Sequence, residues 1–374
     1  MLKSLLKKIR SKKKYERLIK VVIDSAAIKH NLSVFQTQYN VAVAPVLKSN
    51  AYGHGLVEIG NIVDTEEIPF ICVDTFFEAL TLRSSGIQKP ILIIGYTPHE
   101  TIVHNKLRNT SFAVISLEEL KRLATSKKPA SIHLKIDTGM HRHGVHVEEL
   151  HEALNLIAHS SLILEGVYTH LADADTKGST LTDTQIDAWN TAVQTIRSHI
   201  PTVTYFHCGH SAGSFYSKHI DANGIRLGIG LYGVNVGLDD LDLKPALEMK
   251  TRITSIKTLK QGETIGYNGT FTAEKDMRVA TIPVGYNEGL DRRLSNKGSV
   301  LVHGTVCPIL GRVNMNITSI DVSQIPDIKL DDEVTIISGD KTQPNSIEHL
   351  AKLCETIPYE LLVHIQSTLY RKVI

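Results

Sequence analysis

Cysteine is scarce in this sequence. Cys72, Cys208, Cys307 and Cys354 are widely spaced among 374 residues and form no CxxC pair. That excludes a disulfide framework and a cysteine-built zinc module, and three of the four sit in apolar runs, so buried free thiols are expected. No uninterrupted apolar stretch is long enough to span a bilayer, and no secretory signal stands out, so the default expectation is the cytoplasm. A formal net charge of +2 gives no basis for nucleic-acid binding. Internal repeats and low-complexity tracts are also missing. Charge of one sign gathers only in residues 1–20, MLKSLLKKIRSKKKYERLIK, where Leu2, Leu5, Leu6 and Ile9 fall on one helical stripe. This basic N-terminal extension suits an anionic membrane surface, a helix packed on the body or a solvated tail. The shortness of the stripe makes membrane contact the less favoured reading.

What is present is a change of pattern along the chain. From about Val21 to Gly233, short β-rich runs alternate with helical stretches. The runs are VAVAPVL (41–47), FICVDT (70–75), ILIIG (91–95), SFAVIS (111–116), SIHLKID (131–137), LEGVYTHL (164–171), TYFHCG (204–209) and GIRLGIGLYG (224–233). Between them the clearest helix is Asp183 to Ile196, with Ile186, Trp189, Val193 and Ile196 on one face. Eight strands separated by helices predict a (β/α)8 TIM-type barrel over 21–243. After it, β-like segments with turn residues between them predict an all-β C-terminal domain over 244–374, with a late helical patch at Ser346 to Glu355. The segment ahead of the first barrel strand is expected to return to that β domain.

In such a barrel the active site lies at the C-terminal ends of the strands. The unusual polar residues gather there. Lys48 ends the first run, Lys135 and Arg142 lie at and beyond the fifth, His170 ends the sixth, His207 and Ser211 follow the seventh, and Arg226 lies in the eighth. Lys48 is followed by Asn50, Gly53 and Gly55, and glycines let backbone approach a ligand. A desolvated lysine amine loses its proton more readily and attacks carbonyls. Arg226, inside an apolar strand, needs an acceptor, structural or on a ligand. Ser211 in HSAGSF reads as a helix N-cap, which is compatible with a phosphate at the same helix end. His141, His143 and His146 have no carboxylate or cysteine arranged with them in the sequence, so no metal is expected.

The run LKSNAYGHG closely resembles the signature of alanine racemases, which hold pyridoxal 5'-phosphate (PLP) covalently on its lysine. The resemblance extends from VVIDSAAIKHN at Val21 to IPYE at 357–360. It implies that Lys48 carries PLP and serves as one catalytic base. THLADAD places His170 behind the catalytic tyrosine. Tyr52, Ser211 from HSAGS and Tyr359 from IPYE are implied phosphate contacts, together with backbone amides of Gly228 and Ile229 in RLGIGLYG. Arg226 in that same run would face the pyridine nitrogen. KIDTGMHR supplies Lys135, a position often carbamylated in the family, and Arg142, which with Met315 of GRVNMN would hold the substrate carboxylate. GETIGYNGTF supplies Tyr267 as the second base. GYNEGLDRR supplies Tyr286 and Arg292 for the substrate access channel.

Racemisation needs a proton removed from one face of Cα and returned on the other, hence two bases. A phenol has a reference pKa of about 10 and needs cationic neighbours to act as one, a role a His170–Arg226 relay would help to fill. An arginine at the ring nitrogen fits a racemase better than a transaminase or a decarboxylase. The family supplies the tyrosine from a partner subunit, so the resemblance implies a head-to-tail homodimer with composite sites, interconverting L- and D-alanine for peptidoglycan. The alternatives are a serine or broad-specificity racemase, a decarboxylase of the same barrel, and a non-catalytic PLP-binding barrel. Arg226 argues against the decarboxylase, and Tyr267 against both of the last two. The sequence departs from the family at Asn316, where aspartate is usual, at His141-Arg142-His143-Gly144, and in the closing STLYRKVI.

Overall fold

The computed structural model describes residues 16–374. The stripe Leu2 to Ile9, on which the membrane reading rests, lies outside the described residues. The chain divides into two compact units. One is Ile23–Leu247 with Val373–Ile374, and the other is Glu248–Lys372 with the described residues up to Val22.

The first unit is the barrel. Its strands are β1 (Ala42–Pro45), β2 (Ile71–Val73), β3 (Ile91–Ile93), β4 (Thr110–Val114), β5 (Ala130–Asp137), β6 (Leu162–Tyr168), β7 (Tyr205–His207) and β8 (Gly224–Leu227). All eight overlap the expected runs; β4 and β5 begin one residue before theirs and β6 two residues before. They pair in parallel from β2 through to β8, and β8 pairs with β1 in the register Gly224↔Ala42 to Leu227↔Pro45. A parallel bridge between Val46 and Cys72 then closes the ring. Strands β2, β3 and β4 are buried at every position, as expected where helices cover the outer face and side chains fill the interior. The long helix runs Thr180–His199, starting where the Ser179 hydroxyl accepts from the Thr182 N–H, and it buries Ile186, Trp189, Val193 and Ile196. The helix Phe76–Ser84 opens on a reciprocal Thr75/Glu78 capping box.

The other unit is built on a nine-stranded sheet. Its order is Ser255–Leu259, Met277–Ile282, Thr318–Asp321, Thr305–Leu310, Ser299–Val302, Glu333–Ile337, Leu247–Arg252, Lys20–Ile23 and Arg371–Val373. The leading segment Lys20–Ile23 thus returns to this sheet. The late helix is Ile347–Leu353, capped by Ser346. A helix at Pro358–Val363 went unforeseen; Pro358 sits in its first turn, where a missing N–H costs nothing. A two-stranded hairpin, Thr264–Ile265 with Phe271–Thr272, was also not anticipated. All four cysteines are buried and free.

Candidate active site

At the end of β1 the chain does something its residue types do not favour. Ser49, Asn50, Ala51 and Tyr52 all have positive φ, between 51° and 56°, forming a left-handed turn directly after Lys48. For residues with a Cβ this costs about 1–2 kcal/mol each. The turn is held from several sides. The Ala51 N–H donates to the Leu47 carbonyl at 2.8 Å, the Ser49 N–H to Glu78 Oε1 at 2.7 Å, and the Leu56 N–H to Asn50 Oδ1 at 2.9 Å. Its result is a half-buried Lys48 at the rim and a buried Tyr52 brought against the strand-end loop after β8.

That loop makes a cradle. A Cβ added to Gly228 would lie 2.8 Å from the Tyr52 hydroxyl and 3.9 Å from Ser211 Oγ. Ser211 is buried, and its hydroxyl accepts from the Gly230 N–H at 3.0 Å. The N-cap expected of Ser211 does not form, because the residues after it make only a short 3-10 turn, Gly213–Tyr216, that starts from Ala212. Two hydroxyls and backbone around a position kept free of a side chain suit a phosphate. The cradle therefore fits PLP.

Arg226 is the buried cation of the site. Its Nη1 donates to the His207 carbonyl at 2.7 Å and to His207 Nδ1 at 2.9 Å; its Nη2 donates to the Thr169 carbonyl at 2.6 Å and to His170 Nδ1 at 3.3 Å. A guanidinium can only donate, so Nδ1 of each histidine is an acceptor and the ring proton sits on Nε2. His207 Nε2 then donates to His133 Nδ1 at 2.8 Å, extending the chain inward from the rim. Tyr168 stacks on His207 with the rings 7° from parallel, and the Arg226 guanidinium lies 5.0 Å from the Tyr168 ring centre. Burial, aided by Arg226, pushes His133 down to about 3; burial likewise holds His207 and His170 well below the usual imidazole range. All three rings are neutral at physiological pH. The expected relay would therefore have one permanent charge, Arg226, with His170 beside it as a neutral ring that carries its proton on Nε2.

Lys135 is buried on β5, its ammonium 5.8 Å from the Tyr168 ring centre. Burial first, then Arg142, Arg226 and Lys48, push its pKa down to about 8. Arg142 lies exposed in the loop beyond. Lys48, Tyr52, Lys135, His170, Ser211, Arg226, Gly228 and Ile229 thus all lie at or just beyond the C-terminal ends of the barrel strands, as the sequence led one to expect.

The remaining expected residues lie in the β unit. Tyr267 stands at the tip of the two-stranded hairpin and is 71% exposed. Gly266 at φ 76° and Asn268 at φ 64° make that tip. Tyr286 and Met315, both exposed, sit on two loops joined by backbone bonds, Tyr286 N–H to Asn314 C=O at 3.0 Å and Asn287 N–H to Met315 C=O at 2.9 Å. Arg292 is exposed on a short 3-10 turn, and Tyr359 is half-buried in the helix Pro358–Val363. The unusual Asn316 has a physical partner here. Its Nδ2 donates to Oε1 of the buried Glu288 at 2.6 Å, while the Gly285 N–H donates to Oε2 at 2.9 Å. An aspartate at 316 would set a second carboxylate against Glu288 and force one of them to bind a proton.

Some participants were not singled out from the sequence. His133 and Lys135 alternate in SIHLKID, which puts both on the inward face of β5, a signal that was available. Asp137 is different. The sequence shows no carboxylate arranged with the loop histidines, yet ligand atoms of Asp137, His141 and His146 lie within 4.8 Å of one another. A backbone pairing, Asp137↔His146, brings them together, and sequence spacing does not reveal it.

Comparison with known proteins agrees over nearly the whole chain. The family model for the alanine racemase N-terminal domain matches residues 23–236, and that for the alanine racemase C-terminal domain matches residues 246–373. Alanine racemase 2 of Oceanobacillus iheyensis is 36% identical over 346 residues, covering 89% of this chain and 88% of that protein. Among solved structures, alanine racemase of Clostridium difficile 630 superposes with a TM-score of 0.89 at 29% identity, covering 96% of this chain and 97% of the other. Histidine racemase from Leuconostoc mesenteroides superposes with a TM-score of 0.86 at 28% identity, covering 96% and 98%.

Proposed function

This chain belongs to the alanine racemase family, which is PLP-dependent, and from that premise we propose that it interconverts L- and D-alanine with Lys48 and Tyr267 as its two bases. The observation that carries the reading is the buried Arg226, which donates hydrogen bonds and accepts none, on the same rim as Lys48 and the glycine-lined cradle.

PLP, when bound, supplies the electron sink that makes the substrate Cα–H acidic. Lys48 would hold it covalently. Tyr52, Ser211 and the backbone at Gly228 and Ile229 would hold its phosphate, and the resemblance adds Tyr359 to them. Arg226 would face the ring nitrogen and, able only to donate a hydrogen bond, would keep that nitrogen unprotonated, which restrains side reactions such as transamination. Lys48, released when the substrate amine takes its place, would move the proton on one face of Cα and the Tyr267 hydroxyl on the other, with the His170 Nε2–H and the Arg226 charge favouring its phenolate form. Arg142 and Met315 hold the substrate carboxylate, and Tyr286 and Arg292 border its access. Lys135, its pKa pushed down to about 8, has a sizeable neutral fraction near that pH and is suited to carbamylation by dissolved carbon dioxide.

Tyr267, so exposed in its own unit, acts from a second copy in a head-to-tail homodimer. The product serves peptidoglycan synthesis in the cytoplasm. Among the described residues no helix is long and apolar enough to cross a membrane. A broader amino-acid range is the second reading. It is favoured by the similarity to a histidine racemase and by the neutral Asn316 where the family usually carries a charge.

The purified protein should be yellow and should racemise L-alanine in a chiral assay run beside serine, lysine and histidine. Lys48→Ala should lose both colour and turnover. A wild type that stays colourless after PLP reconstitution defeats the proposal; faster turnover of serine or histidine than of alanine moves it to the second reading.

A further inference from the structure

Beyond the cofactor rim, the loop that carries Arg142 brings together two imidazoles and a carboxylate. Asp137 ends β5, and its two oxygens have different duties. Oδ1 accepts the N–H groups of Gly139, Met140 and His141 at 3.0, 3.1 and 3.1 Å. Oδ2 faces Nδ1 of His141 at 3.5 Å. His141 reaches that place through a left-handed backbone, φ 52°, an uncommon and costly state for histidine. His146 arrives by a separate route, through the parallel pairing of Val145–His146 with the end of β5 that sets it opposite Asp137. Gly144 makes that pairing reachable, since a Cβ there would lie 2.5 Å from the Asp137 nitrogen. The His146 N–H is fixed in turn by Glu149 Oε2 at 3.1 Å.

These distances suit a small ion. Two nitrogen or oxygen ligands at about 2.0–2.1 Å from a tetrahedral centre lie about 3.3–3.4 Å apart. The 3.5 Å between His141 and Asp137 is already at that spacing, and the whole set lies within 4.8 Å, a gap that the exposed His141 and His146 side chains close by a small rotation. Two imidazoles with one carboxylate select zinc and its neighbours over magnesium or calcium, which prefer all-oxygen shells. The other grouping of this kind among the described residues, Asp291, Glu360 and His364, has Arg293 bonded to both carboxylates and is already neutralised.

We propose that Asp137, His141 and His146 form a binding site for a borderline divalent metal ion, Zn2+ foremost, with its fourth position open to water. An ion there fixes both ends of the segment 137–146, in whose middle Arg142 lies. The proposal stands on this loop alone and does not depend on the reaction the protein catalyses.

Calorimetric titration of the PLP-loaded protein with Zn2+ tests it, comparing wild type, His141→Ala/His146→Ala and His143→Ala. Both replaced side chains are exposed, and thermal unfolding without metal checks that the fold persists. The double variant should lose one equivalent of Zn2+, or bind it at least ~10-fold more weakly, while His143→Ala binds as the wild type does. Crystals soaked in Zn2+ should show an anomalous scattering peak between the three side chains. Unchanged stoichiometry and affinity in the double variant, equal weakening by His143→Ala, or an anomalous map without that peak would overturn the proposal.

Discussion

The barrel rim and the hairpin of the β unit present their reactive groups in opposite ways. At the rim, Arg226 is buried among carbonyls and neutral histidines, and the cradle is lined by buried hydroxyls and backbone. On the hairpin, Tyr267 stands at a turn tip with most of its surface in solvent. A buried charge network costs desolvation at folding but needs no rearrangement when charge develops at the site. An exposed phenol has no such surroundings in its own unit, and its activation depends on what it meets outside. The comparison separates the two halves of the proposed chemistry: holding the cofactor belongs mainly to the barrel, with Tyr359 its one proposed contact from the β unit, and work on the second face of Cα belongs to the hairpin.

Replacing Tyr267 with phenylalanine is the sharpest way to test that separation. The variant should stay yellow with unchanged PLP affinity, while turnover falls by ~10²–10⁴-fold, the usual contribution of a general acid–base group. Loss of colour along with turnover would mean that the two halves are not separable. Gly228→Ala probes the other side. Its Cβ would press on the Tyr52 hydroxyl at 2.8 Å, so PLP should bind ~10-fold or more weakly, with kcat at saturating PLP less affected, measured by absorbance titration of the apoprotein.

The smallest expected effect concerns acid. His133 has a folded pKa near 3 against about 6.5 when unfolded, so between those values the unfolded chain binds the extra proton. Its contribution is intact above pH 6.5 and is lost as pH falls toward 3, at about 1.4 kcal/mol per pH unit within the window. Urea unfolding of His133→Gln from pH 6 to pH 4 should show a pH slope shallower by about that amount, whatever the cost of the substitution at neutral pH. An unchanged slope would mean that burial does not hold His133 neutral.

The same contrast governs what the sequence reveals. Barrel strands buried on both faces read as apolar runs, so all eight are visible, and the polar residues that interrupt their C-terminal ends mark the rim. The left-handed turn at Ser49 to Tyr52 is not visible, because none of those four residues is the glycine that usually announces positive φ. The Ser211 hydroxyl looked like a cap because local spacing cannot show that the helix after it is too short. Asp137 and His146 meet through strand pairing, and Asn316 meets Glu288 across twenty-eight residues, so both partnerships come from tertiary structure.

The central claim is that Lys48 is the residue that carries the cofactor. Borohydride reduction of the yellow protein fixes PLP to its lysine, and mass spectrometry of the digested protein then locates it. The account predicts one modified peptide with the label on Lys48. A label on Lys135 or any other lysine, or a protein that takes up no label, would contradict it.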